Sequence, residues 1–434
     1  MSLEEIERKV QPTDSTEIIF TDLNGRIRRL PINPKNIQQI ASDGIGFDGS
    51  SVAGIATVDN SDRLLIPVLD SLKILPFKDK KTSLFVGTIH NEQGLRASTD
   101  PRYILEKVVS EAEQQGLGFL ASPEYEFFLF SHDEYTKQLN TDKASYCDAD
   151  PRDQGENVRN RIIDVLTNCG VPFEKAHHEV SPSQHEINFE CSDPLTAADR
   201  TLLFNYVTHM IAAEQGLHAS FMPKPFNNQN RNALHIHLSM QDLEGNNAFY
   251  EPEAEHDLST LARQFIAGIL KYARETSILM ASTFNSYKAY VIEREAPVVV
   301  GWGPRNRTSM VRIPYSANPQ ATRLEIRNPD PAGNIYLQMA AFIKMGLQGI
   351  REGLDCKSPD QGSTYVKSGQ LKVWDKHHLP KTMFEALVEA ENSTFLQDLL
   401  GEQQYHNFMR LKIAEWEEHR TSVTAKEFEK YLPF

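Results

Sequence analysis

The order of apolar and polar residues over the first hundred positions predicts a small β-rich region. Residues 14–32 alternate apolar and polar around an Asn-Gly pair, a dipeptide favoured in tight hairpin turns, so we expect one strand on each side of it. Short apolar runs at 64–67 and 83–89 predict two further strands. The pattern changes at Pro101, where a proline near the first helical turn and the spacing that follows predict a helix.

The rest of the chain alternates predicted strands with longer helical segments. Helical spacing covers residues 156–169, 197–216, 256–279, 334–352 and 383–434. Polar stretches at 141–155 and 225–232 lack any period, so we interpret them as loops that could cover an active site. Because 434 residues exceed the usual single core, the pattern predicts an α+β protein with one domain over residues 1–98 and a larger one over 99–434.

Composition and charge narrow the class of protein. A formal net charge of −14 disfavours nucleic-acid binding, which usually needs a basic surface. Four cysteines without a CxxC pair make no disulfide framework, and they suit a reducing cytosol. The acidic N-terminus lacks the apolar core of a signal peptide, and no apolar run approaches membrane-spanning length. We therefore expect a cytoplasmic protein with no nucleic-acid or membrane partner.

Acids and imidazoles recur in pairs at strand spacing. Residues two apart share a face of a strand, so Glu124 and Glu126 point the same way, as do His235 and His237. Crowded carboxylates repel one another and resist burial unless a cation joins them. A solvated edge strand explains the glutamate pair alone equally well. Repetition of such pairs in one chain indicates divalent metals and a phosphorylated substrate.

Two further groups of charged residues fit the same chemistry less specifically. Glu179 and Glu186 flank a Pro/Ser turn, and taken alone this pattern is best explained by a polar surface hairpin. Five arginines fall within 23 positions: Arg305, Arg307, Arg312, Arg323 and Arg327. A solvated face is the simplest explanation, but they interleave with apolar residues, and arginine binds phosphate and carboxylate bidentately. No GxxxxGK[ST] or GxGxxG motif occurs, so any ATP must be held by metals and arginines.

In this order, the segments resemble the type I glutamine synthetase family from about Asp48 to the C-terminus. The motifs that carry the resemblance are Phe47-Asp48-Gly49-Ser50-Ser51, Asn285-Ser286-Tyr287-Lys288, Glu295-Ala296-Pro297, Arg305-Asn306-Arg307 and Asn328-Pro329-Asp330-Pro331. The resemblance implies an ATP-dependent carboxylate–amine ligase that uses Mg²⁺ or Mn²⁺ and small-molecule substrates. It also implies a small N-terminal β-grasp-like domain, a large α/β catalytic domain, and a homo-oligomer, a dodecamer with active sites between subunits.

The resemblance also implies a role for each matching residue. The first metal would be held by Glu126, Glu179 and Glu186, and the second by Glu124, His235 and Glu325. The nucleotide site would comprise Glu174, His237, Ser239, Arg312 and Arg323. The catalytic residues would be Arg307 and Arg327 on the phosphate and reacting carboxylate, Asp48 from a neighbouring subunit as the base for ammonium, and Glu295 on a closing flap. Tyr146 would complete the ammonium site with Glu179.

Three departures from the family pattern concern the amino-acid end of the substrate. Ala289 stands where the family has an arginine for the α-carboxylate, Arg231 stands where it has a glycine, and Arg294 replaces a tyrosine. We expect Arg231, with its neighbour Asn230, or Arg294 to take over substrate binding. Otherwise the acid is not ordinary glutamate. A γ-glutamylamide ligase that uses a primary amine, the same chemistry on another carboxylate, and, least favoured, an inactive binding homologue remain open.

Overall fold

The computed structural model describes residues 2–131, 142–149, 151–291, 296–372 and 374–434. The helices in these ranges are α1 (Leu3–Val10), α2 (Ile37–Asp43), α3 (Pro101–Gln114), α4 (Glu156–Asn168), α5 (Pro194–Glu214), α6 (Thr260–Tyr272), α7 (Ser277–Met280), α8 (Ile335–Arg351), α9 (Thr364–Gln370), α10 (Met383–Glu391), α11 (Thr394–Leu400), α12 (Glu402–Thr421) and α13 (Ala425–Tyr431). The strands are β1 (Ser15–Thr21), β2 (Ile27–Ile32), β3 (Ile45–Asp48), β4 (Asp62–Pro67), β5 (Lys73–Pro76), β6 (Lys81–His90), β7 (Gly118–Ser131), β8 (Phe173–His178), β9 (Gln184–Phe189), β10 (Leu217–Ser220), β11 (Leu234–Gln241), β12 (Trp302–Pro304), β13 (Val311–Ile313) and β14 (Leu324–Ile326).

The N-terminal region is a six-stranded sheet in the order β2-β1-β6-β4-β3, with β5 paired to β6. Strand β1 runs antiparallel to β2, as the Asn-Gly hairpin predicted, and parallel to β6. Gly25 in the hairpin turn has φ +87°, and a Cβ there would lie 2.7 Å from the carbonyl oxygen of Gly333. The turn therefore needs glycine for its backbone conformation and for its close approach to the second part of the chain.

The larger region is built on an eight-stranded sheet in the order β12-β13-β14-β11-β7-β9-β8, with β10 paired to β7. Tyr125 and Phe127 of β7 point towards α5, where their ring centroids lie 5.9 and 6.1 Å from that of Phe204. Alternation along the strand turns Glu124 and Glu126 to the opposite face. One face of the sheet is thus covered by the helical core, and the other carries the acids.

The α+β class is confirmed, and most predicted elements lie within a few residues of their observed bounds. The helix predicted over 256–279 is wrong as a single element, because it comprises α6 and α7. His256 and Asp257 have φ of 62° and 56°, so no α-helix passes through them, and Ser259 caps α6 instead. The predicted 383–434 helix is four helices, α10 to α13, interrupted in part by Gly401 at φ +78°. Helices α1, α2 and α9 were not predicted.

Two other expectations concern loops and membranes. In the described parts of 141–155 the chain forms no helix or strand before Glu156, as predicted, and 225–232 is likewise a loop. Residues 296–298, which belong to the Glu295-Ala296-Pro297 motif and the residue after it, form no strand. Within the described ranges, no helix combines the length and apolar character needed to cross a membrane.

Candidate active site

Strand register brings the acids of three strands onto one face of the large sheet. Glu124 on β7 lies opposite His235 on β11, and Glu126 lies opposite Glu186 on β9. On the far side of β9, His177 of β8 lies opposite Glu186. The pairs seen at strand spacing therefore become neighbours across strands, and they form two adjacent clusters.

The first cluster contains Glu126, Glu179, Glu186 and His177. His177 places Nδ1 3.3 Å from Oε1 of Glu179 and Nε2 3.3 Å from Oε1 of Glu186. Glu126 is buried and accepts hydrogen bonds from Gln184 Nε2 and the Ala233 amide, each 2.9 Å long. Burial and the charges of Glu179 and Glu186 raise the pKa of Glu126 well above its ordinary value.

The second cluster contains Glu124, His235 and Glu325, whose candidate ligand atoms lie within 4.8 Å of one another. His235 Nδ1 lies 3.6 Å from Glu124 Oε2 and 3.7 Å from Glu325 Oε1. Glu325 forms ion pairs with Arg312 and Arg327. Burial opposes ionisation of Glu325, but the charges of Arg327 and the other nearby cationic groups outweigh this effect and lower the pKa of Glu325 to about 2. This carboxylate is therefore charged at neutral pH.

Asn188 joins the two clusters and was not recognised in the sequence. Its fully buried side chain donates to Glu186 Oε1 at 2.9 Å and to Glu124 Oε1 at 3.2 Å. His177 was also missed as a member of the first cluster, although its register opposite Glu186 gives it the same face. A single sequence holds no signal for this register, which depends on how β8 pairs with β9.

The residues expected at the nucleotide site lie around the second cluster. His237 accepts a hydrogen bond from Arg323 Nε through Nδ1 at 3.0 Å, and its Nε2 lies 3.2 Å from Glu124 Oε1. Ser239 follows two residues later on the same face of β11. Glu174 is exposed at the bulge in β8, and Arg312 contacts Glu325 as described above. This edge of the sheet thus combines acids with arginines, which suits a metal–phosphate ligand.

A buried network supports the chain segment that carries Glu179. His178 donates from Nδ1 to the Glu179 carbonyl at 2.5 Å, and its Nε2 lies 3.2 Å from both carboxylate oxygens of Asp142. Asp142 also accepts from the Ser183 amide at 2.8 Å. His185 lies beside this pair, but Arg159 donates to its Nδ1 at 2.8 Å, so its Nε2 carries the proton and cannot bind a metal. We interpret this third group as structural support.

Tyr146 and Asp48 occupy different positions relative to the clusters. The half-exposed Tyr146 ring meets the His177 ring edge-on at 5.0 Å, which puts it beside the first cluster. Arg307 is exposed, and its positive charge favours the ionised form of the Tyr146 hydroxyl. The exposed Asp48 carboxylate accepts from the hydroxyls of Ser50 and Ser51 at 2.6 Å, which lowers its pKa. Across the described part of this chain, no hydrogen bond or ion pair joins Asp48 to either cluster.

Of the substrate-binding candidates, Arg231 is buried and directed onto the backbone. It donates to the carbonyls of Arg327 at 2.5 Å and Pro329 at 3.0 Å, and its Nε has no hydrogen-bond partner among the described residues. The Asn230 amide donates to Ser181 Oγ at 3.0 Å. Ala289 is buried as well. Arg294 and Glu295 lie outside the described residues.

The sequence of this chain matches two models of one protein family and resembles known members of that family. The model described as "Glutamine synthetase, catalytic domain" matches residues 98–431, and "Glutamine synthetase, beta-Grasp domain" matches residues 13–92. The glutamine synthetase of Thermotoga maritima is 36% identical over 440 residues, which cover 100% of both chains. That of Methanosarcina mazei is 36% identical over 419 residues, with 95% of this chain and 93% of the relative covered.

The solved structures that resemble this chain include two of GmaS. A GmaS/ADP complex matches with a TM-score of 0.90 and 29% identity over 100% of both chains. GmaS without ligand matches with a TM-score of 0.89 and 30% identity over 99% of both chains. The similarity therefore extends over the small sheet, the large sheet and the helices alike.

Proposed function

This chain belongs to the glutamine synthetase family and is an ATP-dependent ligase, and on that premise we propose that it joins the γ-carboxylate of L-glutamate to ammonia through γ-glutamyl phosphate. The observation that carries the proposal is the pair of acid clusters linked by Asn188 and flanked by Arg312, Arg323 and Arg327. Such a surface can hold two cations and a polyphosphate next to a carboxylate. Formation of γ-glutamyl phosphate and its reaction with ammonia both need that combination of charges.

The donors in both clusters fit Mg²⁺ or Mn²⁺, because they are carboxylates and imidazoles rather than thiolates. The crowding that raises the pKa of Glu126 is the electrostatic cost that a cation would relieve. We propose Glu126, Glu179 and Glu186 as ligands of the first cation, and Glu124, His235 and Glu325 as ligands of the second. When bound, the cations would neutralise the phosphate charge during transfer.

The remaining proposed roles belong to side chains around the clusters. Glu174, His237, Ser239, Arg312 and Arg323 would bind ATP. Arg307 and Arg327 would stabilise the charge on the transferring phosphate and the reacting carboxylate. Asp48 would take a proton from ammonium, with Tyr146 and Glu179 holding that cation, and Glu295 would close the site. A neighbouring subunit would supply Asp48, because among the described residues no hydrogen bond or ion pair joins Asp48 to either cluster. The proposal includes a dodecamer in the cytoplasm.

For the acid, we propose that the Arg231 or Arg294 side chain replaces the missing guanidinium at Ala289. The unpartnered Nε of Arg231 supports this, since a buried donor without a partner is unfavourable. Its two backbone hydrogen bonds would fix that Nε in one orientation.

Arg231→Gly tests the assignment of the acid pocket. We expect the KM for glutamate to rise by at least about tenfold, because a charged partner of the α-carboxylate is lost, with a smaller effect on the KM for ATP. Ala289→Arg in the same variant should restore part of the affinity. Equal increases in both KM values would instead mean that Arg231 acts only by supporting the backbone at Arg327 and Pro329.

A second candidate is a γ-glutamylamide ligase with a primary amine as the acceptor. It is favoured by the match to GmaS, a γ-glutamylmethylamide synthetase, at a TM-score of 0.90 over both whole chains. Both candidates share the acyl phosphate and differ only in the nucleophile.

Phosphate release decides between the acceptors. With ATP, Mg²⁺ and glutamate held constant, ammonium, methylamine and ethylamine are compared by kcat/KM. The ligase proposal expects a preference of at least about tenfold for ammonium, whereas a preference of that size for methylamine would replace it with the γ-glutamylamide ligase. Glutarate, which is glutamate without its α-amino group, serves as the control acid.

A further inference from the structure

Lys175 completes a polar row that crosses four strands of the active-site face. His235 lies opposite Glu124, Asn188 is next to Glu124 on β9, and Lys175 lies opposite Asn188 on β8. The Lys175 ammonium reaches over Asn188 to within 3.3 Å of Glu124 Oε1. None of the residues assigned from sequence is this lysine, which lies one position after Glu174.

The charges of the second cluster are therefore already balanced within the chain. Glu325 pairs with Arg312 and Arg327, and Glu124 pairs with Lys175. A divalent cation held by Glu124 and His235 would face Oε2 of Glu124, while the Lys175 ammonium lies 3.3 Å from Oε1 of the same carboxylate. Two cations on one carboxylate repel each other, so binding of the metal would weaken the Lys175–Glu124 pair.

The position of Lys175 offers its ammonium another partner. Half of the side chain is exposed on the edge strand β8, whereas only 15% of the Glu124 side chain is exposed. The ammonium can therefore swing away from the carboxylate, while the carboxylate stays in place. An oxygen of the phosphate that arrives with the cation would lie beside this ammonium, and lysine is a flexible point charge suited to phosphate.

We propose that Lys175 is a phosphate-binding residue that neutralises Glu124 in the empty site and moves to the nucleotide phosphates when the second cation binds. The inference rests on the proposed two-cation ATP site. In the absence of nucleotide, Lys175 therefore weakens binding of the metal. Once the metal is bound, Lys175 strengthens binding of the nucleotide. An ordinary exposed ion pair would have neither effect, since such pairs contribute only about 0–1 kcal/mol to stability.

The test measures binding to the whole protein rather than turnover. Lys175→Met removes the charge but keeps much of the length, and Lys175→Arg keeps the charge. The matched control is Lys271→Met, which breaks the Lys271–Glu352 pair of similar exposure (45% against 50% for the lysine side chains) away from the clusters. Mn²⁺ binding is followed by the electron paramagnetic resonance signal of the free ion, and ADP binding by calorimetry at saturating Mn²⁺.

The proposal expects opposite changes in the two constants. In Lys175→Met, the Kd of the weaker Mn²⁺ site without nucleotide should fall about tenfold, and the Kd of ADP should rise about tenfold. Lys175→Arg and Lys271→Met should stay within about twofold of the wild type in both constants. Unchanged constants in Lys175→Met, changes of the same sign, or a wild type with a single class of Mn²⁺ site would overturn it. Absence of phosphate release with any acid would refute the proposed reaction without altering this binding result.

Discussion

Glu126→Gln is expected to abolish turnover and, at the same time, to raise the melting temperature of the metal-free protein. The loss of activity should reach about three orders of magnitude, since removing even a supporting partner of a metal ligand costs 10- to 100-fold. The gain in stability follows from burial of Glu126 and from the nearby charges of Glu179 and Glu186, which together raise the pKa of Glu126 well above its ordinary value. Glutamine keeps a carbonyl oxygen for the Gln184 and Ala233 donors but carries no charge.

The measurements are phosphate release and thermal unfolding with and without Mn²⁺. The wild type should gain more stability from Mn²⁺ than the variant does, because the cation relieves the repulsion that the substitution has already removed. Glu17→Gln is the matched control: Glu17 is equally buried but paired with Arg29, Lys80 and Tyr206, so its neutralisation should lower the melting temperature. Near-normal turnover in Glu126→Gln would remove Glu126 from the metal site.

Arg327→Lys is expected to lower kcat by about 10²- to 10³-fold, the cost of removing one preorganised donor that stabilises the transition state. The Arg327 side chain is 6% exposed and ion-paired with Glu325, so its remaining donors are held rigidly beside the second cluster. Lysine is a point charge and cannot present the two parallel donors of a guanidinium. The Kd of ADP, measured by calorimetry, should change much less than kcat.

Arg102→Lys provides the comparison for Arg327→Lys. Arg102 is also a buried arginine with a bidentate contact, since its Nε and one terminal nitrogen donate to Asp199 at 3.0 and 2.9 Å. It lies on α3, away from the clusters. Its replacement should reduce the melting temperature and leave kcat nearly unchanged. A similar fall in kcat for both variants would mean that Arg327 acts through the stability of the fold.

The parts of the fold and site that depend on local pattern could be predicted from the sequence. The Asn-Gly hairpin, the helix after Pro101 and the common face of Glu124 and Glu126 follow from turn chemistry and from the two-residue period of a strand. That Glu124 meets His235, and that Glu126 meets Glu186, is long-range register, which the spacing of residues along one strand does not contain.

The site residues that were not predicted also depend on the long-range register between strands. Asn188 links the clusters, His177 joins the first one and Lys175 reaches Glu124 because β8 and β9 pair at one particular offset. Arg231 shows a different difficulty. Its departure from the family pattern suggests a substrate contact, whereas both terminal nitrogens of its guanidinium bond to backbone carbonyls. Only the folded chain decides which acceptor lies nearest to a long side chain.

Trapping the acyl phosphate with hydroxylamine tests the central claim most directly. The protein is incubated with ATP, Mg²⁺, glutamate and hydroxylamine, and ADP and γ-glutamyl hydroxamate are quantified together. The account predicts equal amounts of the two products, dependent on both glutamate and the metal, and absent in Glu126→Gln. ADP formed without hydroxamate, or at the same rate when glutamate is omitted, would contradict the formation of an activated glutamyl intermediate at this site.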